Sequence, residues 1–202
     1  MRRKDRADGV LVDVPPLRRV MPYLMRGRTE SVVFFEQHIE CDQLLAWLER
    51  TNAARPASER ITLFHVLLTA IARTFRLRPE LNRFVAGRRT YQRNDISLSF
   101  VVKEAMRDDG REYEALIRFT GEESLDEVRR MVSGAVERER GASSGTGRGG
   151  GDRMVDFFAS WPRPVLNAIS HLVTVLDYHG RLPSAFRDEV PLFTSAYVVN
   201  TG

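Results

Sequence analysis

Ile96, Leu98, Phe100 and Val102 alternate with Ser97, Ser99 and Lys103, a period of two that suits a half-buried β-strand and no helix. Asp108-Asp109-Gly110 follows as a turn signal, and Glu112 to Phe119 returns as a second strand. The pair reads as a β-hairpin, which is antiparallel by construction. With helical segments before and after it, the hairpin favours an α+β layered sheet over a doubly wound parallel one.

The flanking segments fill in that plan. Leu17, Val20, Met21, Leu24 and Met25 recur at helical spacing after Pro15-Pro16, which suits a helix start. Ser31 to Ile39 reads as a strand, and Asp42 stands as the N-cap of a helix carrying Leu44, Leu45, Trp47 and Leu48. Thr51 to Arg60 is polar, contains Pro56 and reads as a loop. Thr62 caps the most hydrophobic helix, whose Leu63, Phe64, Val66, Leu67, Ala70, Ile71 and Phe75 point to nearly every side and predict deep burial, with Pro79 ending it. Ser124 and Glu127 form a capping box ahead of Leu125, Val128, Val132 and Val136. Gly141 to Gly151 has the composition of a flexible linker. A helical stretch near Val165 to Leu176 precedes a final strand from Pro191 to Gly202, rich in aromatic and β-branched residues. On this reading residues 1–15 are a basic, flexible segment and 16–202 one domain.

Composition bounds the function classes. The 202 residues are 43% apolar and 29% charged, enough for an ordinary soluble core. The net charge of +4 is spread along the chain apart from Met1-Arg-Arg-Lys-Asp-Arg6, which reads as a solvated tail in preference to a nucleic-acid arm. One cysteine, Cys41, excludes an intramolecular disulfide and fits a reducing cytoplasm. No apolar run approaches the roughly 20 residues that span a bilayer, and the basic N-terminus lacks the apolar core of a signal peptide. Neither membrane nor nucleic acid is expected as a partner.

Four histidines and one cysteine do not make a metal centre, and none is expected. Gly145-Thr-Gly-Arg-Gly-Gly150 matches the dinucleotide fingerprint in letters alone, because a helix and not a strand precedes it. His65 reads as a satisfied core histidine. His38 and Asp42, four apart, have the spacing to orient an imidazole for base chemistry, against which stands the capping role of Asp42. His171 and His179 flank Asp177 near a loop. Ser195 stands out by its setting, a hydroxyl on a strand built otherwise of Phe193, Tyr197, Val198 and Val199. Such a donor can stabilise a developing oxyanion, or it can simply bond a neighbouring backbone group. No G-x-S-x-G elbow surrounds it, which argues against a nucleophile.

Several local phrases, in order, resemble the chloramphenicol acetyltransferase-like superfamily, in particular the catalytic core of dihydrolipoyl acyltransferases. Met21 to Glu30 is similar to the family's opening helix and the approach to its first core strand, and His38-Ile-Glu-Cys-Asp42 to the end of that strand. Arg78-Pro-Glu-Leu-Asn82 is similar to the Pro-Glu-Leu-Asn after the family's buried helix, and Asn94 to Val102 to the strand beyond. Pro191 to Asn200 resembles the strand bearing Phe-Thr-Ser. The resemblance spans about residues 17 to 202. It implies a two-layer sandwich of a mixed sheet with helices on one face, and transfer of an acyl group between a thioester, of coenzyme A or a lipoyl group, and a small-molecule acceptor. It implies homotrimers with sites at subunit interfaces, and it gives Ser195 the role of the serine that stabilises the tetrahedral oxyanion. The family's general base lies in an H-x-x-x-D-G motif after that strand, so the resemblance implies that 16–202 is a domain lacking its C-terminal part; His38 to Asp42, with Gln43 in place of glycine, does not substitute for the motif. A catalytically silent, acyltransferase-like subunit acting in assembly is therefore the alternative expectation.

Overall fold

The computed structural model describes residues 5–25, 27, 29–103, 112–146, 161–183 and 193–199. The predicted hairpin is its centre. Strand β4 (Ile96–Lys103) pairs antiparallel with β5 (Glu112–Phe119) over eight residues, from Ile96 opposite Phe119 to Lys103 opposite Glu112. The turn signal at 108–110 lies outside the described residues. On the other side of β4 runs β6 (Ala196–Val198), parallel, with Leu98 opposite Ala196 and Phe100 opposite Val198. The sheet order β5-β4-β6 makes β4 central. Ser97 to Phe100 is consequently buried on both faces, where alternation alone predicts a half-buried strand.

Two helices cover the apolar side of this sheet. In α3 (Leu63–Leu77), Leu68 and Ala72 meet Leu98 and Phe100, and Phe64 meets Phe100 edge-on at 5.2 Å between ring centroids. In α4 (Leu125–Thr146), Val128, Val132 and Ala135 pack beside Ala115, Ile117 and Phe119. Both starts are fixed by local chemistry. Thr62 accepts from the His65 N–H while the Thr62 N–H donates to His65 Nδ1 at 3.0 Å, and Ser124 and Glu127 exchange the same kind of bonds. Deep burial of α3 does not hold on every side. Its buried stripe is His65, Leu68 and Ala72, whereas Leu63, Leu67 and Leu77 are exposed, because only one face meets the sheet. The helix α4 runs to Thr146, into the stretch whose glycines and serines read as a linker; 147–151 lie outside the described residues.

A second sheet escapes the periodicity analysis. Strands β1 (Gly9–Leu11), β2 (Arg83–Ala86) and β3 (Arg89–Arg93) form an antiparallel sheet in the order β1-β3-β2. Gly87 and Arg88, at φ 56° and 59°, make the tight turn between β2 and β3. Its cohesion comes from aromatic and cationic groups in place of aliphatic ones. Phe84 stacks on Tyr91 at 5.5 Å, with the guanidiniums of Arg6 and Arg93 over the Phe84 ring at 5.5 and 4.7 Å. Residues 5–15, which composition assigns to a flexible segment, thus belong to the fold. Arg6 also donates to the backbone oxygen and carboxylate of Asp177, at 2.5 and 2.6 Å. Asp177 lies near the end of α5 (Arg163–Tyr178), so this contact joins the segment just before β1 to that helix.

Among the described residues the remaining α-helices are α1 (Pro16–Leu24) and α2 (Asp42–Asn52). Cys41, not Asp42, occupies the N-cap of α2; Asp42 is the first helical residue and makes no side-chain cap, leaving it to favour the helix dipole. The polar run after it is mostly irregular, as expected, apart from a short 3-10 turn at Ala57–Glu59. The strand expected over Ser31 to Ile39 is not formed. A 3-10 turn at Thr29–Ser31 gives way to irregular chain in which Val33, Phe34, Phe35 and Ile39 are 71–94% exposed. β-propensity without a neighbouring edge to pair with does not make a strand. The architecture is α+β, with one mixed and one antiparallel sheet, and among the described residues no helix is long and apolar enough to cross a membrane.

Candidate functional site

Ser195 lies where the chain enters β6, half-buried, against the start of β4. Its N–H donates to the Ser97 carbonyl at 2.8 Å and approaches Ser97 Oγ at 3.3 Å. Its hydroxyl accepts from the Ser97 N–H at 3.0 Å and donates to the Asp95 carbonyl at 3.3 Å. The oxygen is therefore fixed from one side by a backbone donor, while its proton rests on a longer bond. A hydroxyl held in this way can turn its proton toward a new acceptor without relocating the oxygen.

The surroundings are a run of hydroxyls. Ser99, 1% exposed, shares a 3.1 Å bond with the hydroxyl of Thr194, and Ser97 is buried beside it. Both serines occupy the alternate positions of β4, opposite in phase to Leu98 and Phe100, so the period that builds the core also lines up these hydroxyls. Arg93 donates to the Phe193 carbonyl, and Tyr197 donates to Glu114 at 3.1 Å across β4. These contacts hold a strand of only three paired residues in register.

The histidines are dispersed. His38, with a side chain 96% exposed, lies 3.7 Å from Glu36 and makes no bond to Asp42. His65 is buried, bonded to Thr62, and held below its ordinary pKa by burial first and the nearby positive charge of Arg129 second. His171 and His179 are exposed on α5 and at its end; His179 meets Tyr178 edge-on at 5.2 Å. Asp177 between them is taken by Arg6. Among the described contacts none of the four reaches Ser195, and no cluster of metal-ligating side chains is present among the described residues. The Gly145–Gly150 run lies at and beyond the end of α4 and is not preceded by a strand.

Sequence reasoning singles out Ser195 but not its partners. Ser97 and Asp95 are 98 and 100 residues away in the chain, and both contribute backbone atoms, which carry no sequence signature. Asn82, which bonds the same Asp95 carbonyl, is further still. The phrase Pro-Glu-Leu-Asn, quoted above for its resemblance alone, is the one available pointer to it.

No family model matches this chain, and no curated protein sequence matches it. Solved structures do resemble it. The cubic core of the pyruvate dehydrogenase multienzyme complex is 21% identical at a TM-score of 0.48, over 67% of this chain and 57% of that one. A dihydrolipoamide acetyltransferase of Azotobacter vinelandii, studied for the catalytic roles of a serine, a histidine and an asparagine, is 22% identical at 0.42, over 53% and 44%. A probable dihydrolipoamide acetyltransferase of Listeria monocytogenes is 17% identical at 0.47, over 69% and 60%. The chain spans about half the length of the solved chains it resembles.

Proposed function

We propose that this chain is an acyltransferase-family domain of the two-layer chloramphenicol acetyltransferase-like plan, transferring an acyl group between a thioester, of coenzyme A or a lipoyl group, and an acceptor. The observation that carries the reading is the Ser195 hydroxyl, held by the Ser97 N–H on the strand that bears the family-like Phe193-Thr-Ser195 phrase. In the reaction an acceptor thiolate attacks the acyl carbon and forms a new C–S bond. The carbonyl π pair moves to oxygen, and Ser195 donates its proton in a hydrogen bond to that oxyanion. Collapse restores the carbonyl and expels the first thiolate. Ser195 does not deprotonate the acceptor; that step belongs to a base outside its described contacts. The same resemblance implies a homotrimer, or a larger assembly built on it, and the composition leads us to place it in the cytoplasm with neither membrane nor nucleic acid as a partner.

The test is release of free thiol from acetyl-CoA in the presence of dihydrolipoamide. Ser195→Ala is expected to lower kcat by about 10²–10³-fold, the range for loss of one oxyanion donor. A full rate in that variant removes Ser195 from the proposed role.

One observation favours the second reading, a catalytically silent subunit that acts in assembly. None of the four histidines bonds to Ser195 among the described contacts, while several large apolar side chains stand exposed on α1, α5 and residues 32–39. That reading predicts no thiol release by the unaltered chain and a stable association with a partner.

A further inference from the structure

Asn82 closes the 3-10 turn Pro79–Asn82 and is 5% exposed. Its Nδ2 donates to the Asp95 carbonyl at 2.9 Å, the same carbonyl that accepts the Ser195 proton at 3.3 Å. Its Oδ1 has no hydrogen-bond partner among the described residues, an arrangement that burial normally disfavours. Turning the amide over would set oxygen against the Asp95 oxygen, so the donor role fixes the orientation and leaves the acceptor orphaned. The turn that carries this side chain is held in place, because Gln92 Nε2 donates to the Asn82 backbone carbonyl at 3.1 Å and to the Pro79 carbonyl at 2.8 Å.

We propose that Asn82 is a positioning residue for Ser195, holding the Asp95 carbonyl so that the serine proton is free to turn to a substrate oxyanion. The inference rests on the acyl-transfer reading of Ser195. The Asp95 oxygen has two side-chain donors of unequal length, and the shorter bond belongs to Asn82. When the Ser195 proton turns away, that oxygen keeps the Asn82 donor, and the Ser97 N–H still anchors the serine oxygen. Without Asn82, the Asp95 carbonyl depends on Ser195, and the serine proton is held where it does no chemistry.

A double-mutant cycle on the full chain, with Asn82→Leu, Ser195→Ala and both together, tests this by two readouts. In urea unfolding, the double variant is expected to lose more than the two singles combined, because only then does the Asp95 oxygen lose both donors. In thiol release from acetyl-CoA with dihydrolipoamide, Asn82→Leu is expected to lower kcat about fivefold at unchanged KM, the kinetic size of one ordinary hydrogen bond. It should have no further effect once Ser195 is replaced by alanine. Additive losses in urea overturn the sharing of the carbonyl. An unchanged kcat in Asn82→Leu, with Ser195→Ala impaired, overturns the positioning role and leaves the acyl-transfer reading standing. A full rate in Ser195→Ala, or no thiol release by the unaltered chain, overturns the acyl-transfer reading itself, and the positioning role with it.

Discussion

His65 is both a capping residue and a buried base. Its Nδ1 accepts from the Thr62 N–H, which requires a lone pair on that nitrogen, and burial and Arg129 disfavour a second proton. Its folded pKa therefore lies below the unfolded value of about 6.5. The stabilisation is fully present above about pH 6.5 and is lost as pH falls through the folded pKa. We expect the urea midpoint to decline on acidification from about pH 7, and His65→Gln, which keeps a side-chain acceptor at the same helical position, to flatten that decline. An equal decline in both proteins would show that other groups titrate there. At this scale the sequence was informative wherever a role is local. Thr62, Ser124 and Glu127 are recognisable as caps because their partners lie three residues away. Ser195 is recognisable only as an oddity, because the groups that define it are brought from 98 and 100 residues away.

Among the elements, β4 and β5 were legible because a period of two survives in both, and α4 because its apolar stripe follows a capping box. The sheet of β1, β2 and β3 was not. Its strands are short, and their cohesion depends on Arg6 and Arg93 lying over Phe84, a contact no hydropathy pattern registers. The strand expected at 31–39 failed for the opposite reason: it has the propensity but no described partner. Two substitutions test the packing. Leu68→Ala, at a fully buried site between α3 and the sheet, is expected to cost about 2–5 kcal/mol in denaturant unfolding. Gly87→Ala should also destabilise, since a Cβ there would stand 2.5 Å from the Tyr178 carbonyl oxygen on a backbone at positive φ. An unaltered midpoint for Gly87→Ala would mean that the turn between β2 and β3 relaxes freely.

For the whole molecule, the exposed apolar surface sets the solution behaviour. Phe34 and Phe35 are 94% and 84% exposed in a segment without strand pairing, a combination that favours association. Sedimentation velocity is expected to show concentration-dependent self-association, reduced by the Phe34→Glu, Phe35→Glu double variant. A monodisperse monomer at all concentrations would contradict this. The contact between Arg6 and Asp177 has a different consequence, one of timing. A ribosome delivers β3 well before α5, so the aromatic sheet that Arg6 covers waits, once its three strands are made, for the carboxylate that later secures Arg6. The serine strand arrives later still. The β1-β3-β2 sheet is thus completed by a helix made after it, and the interval between them is when a nascent chain of this kind most needs protection from its neighbours.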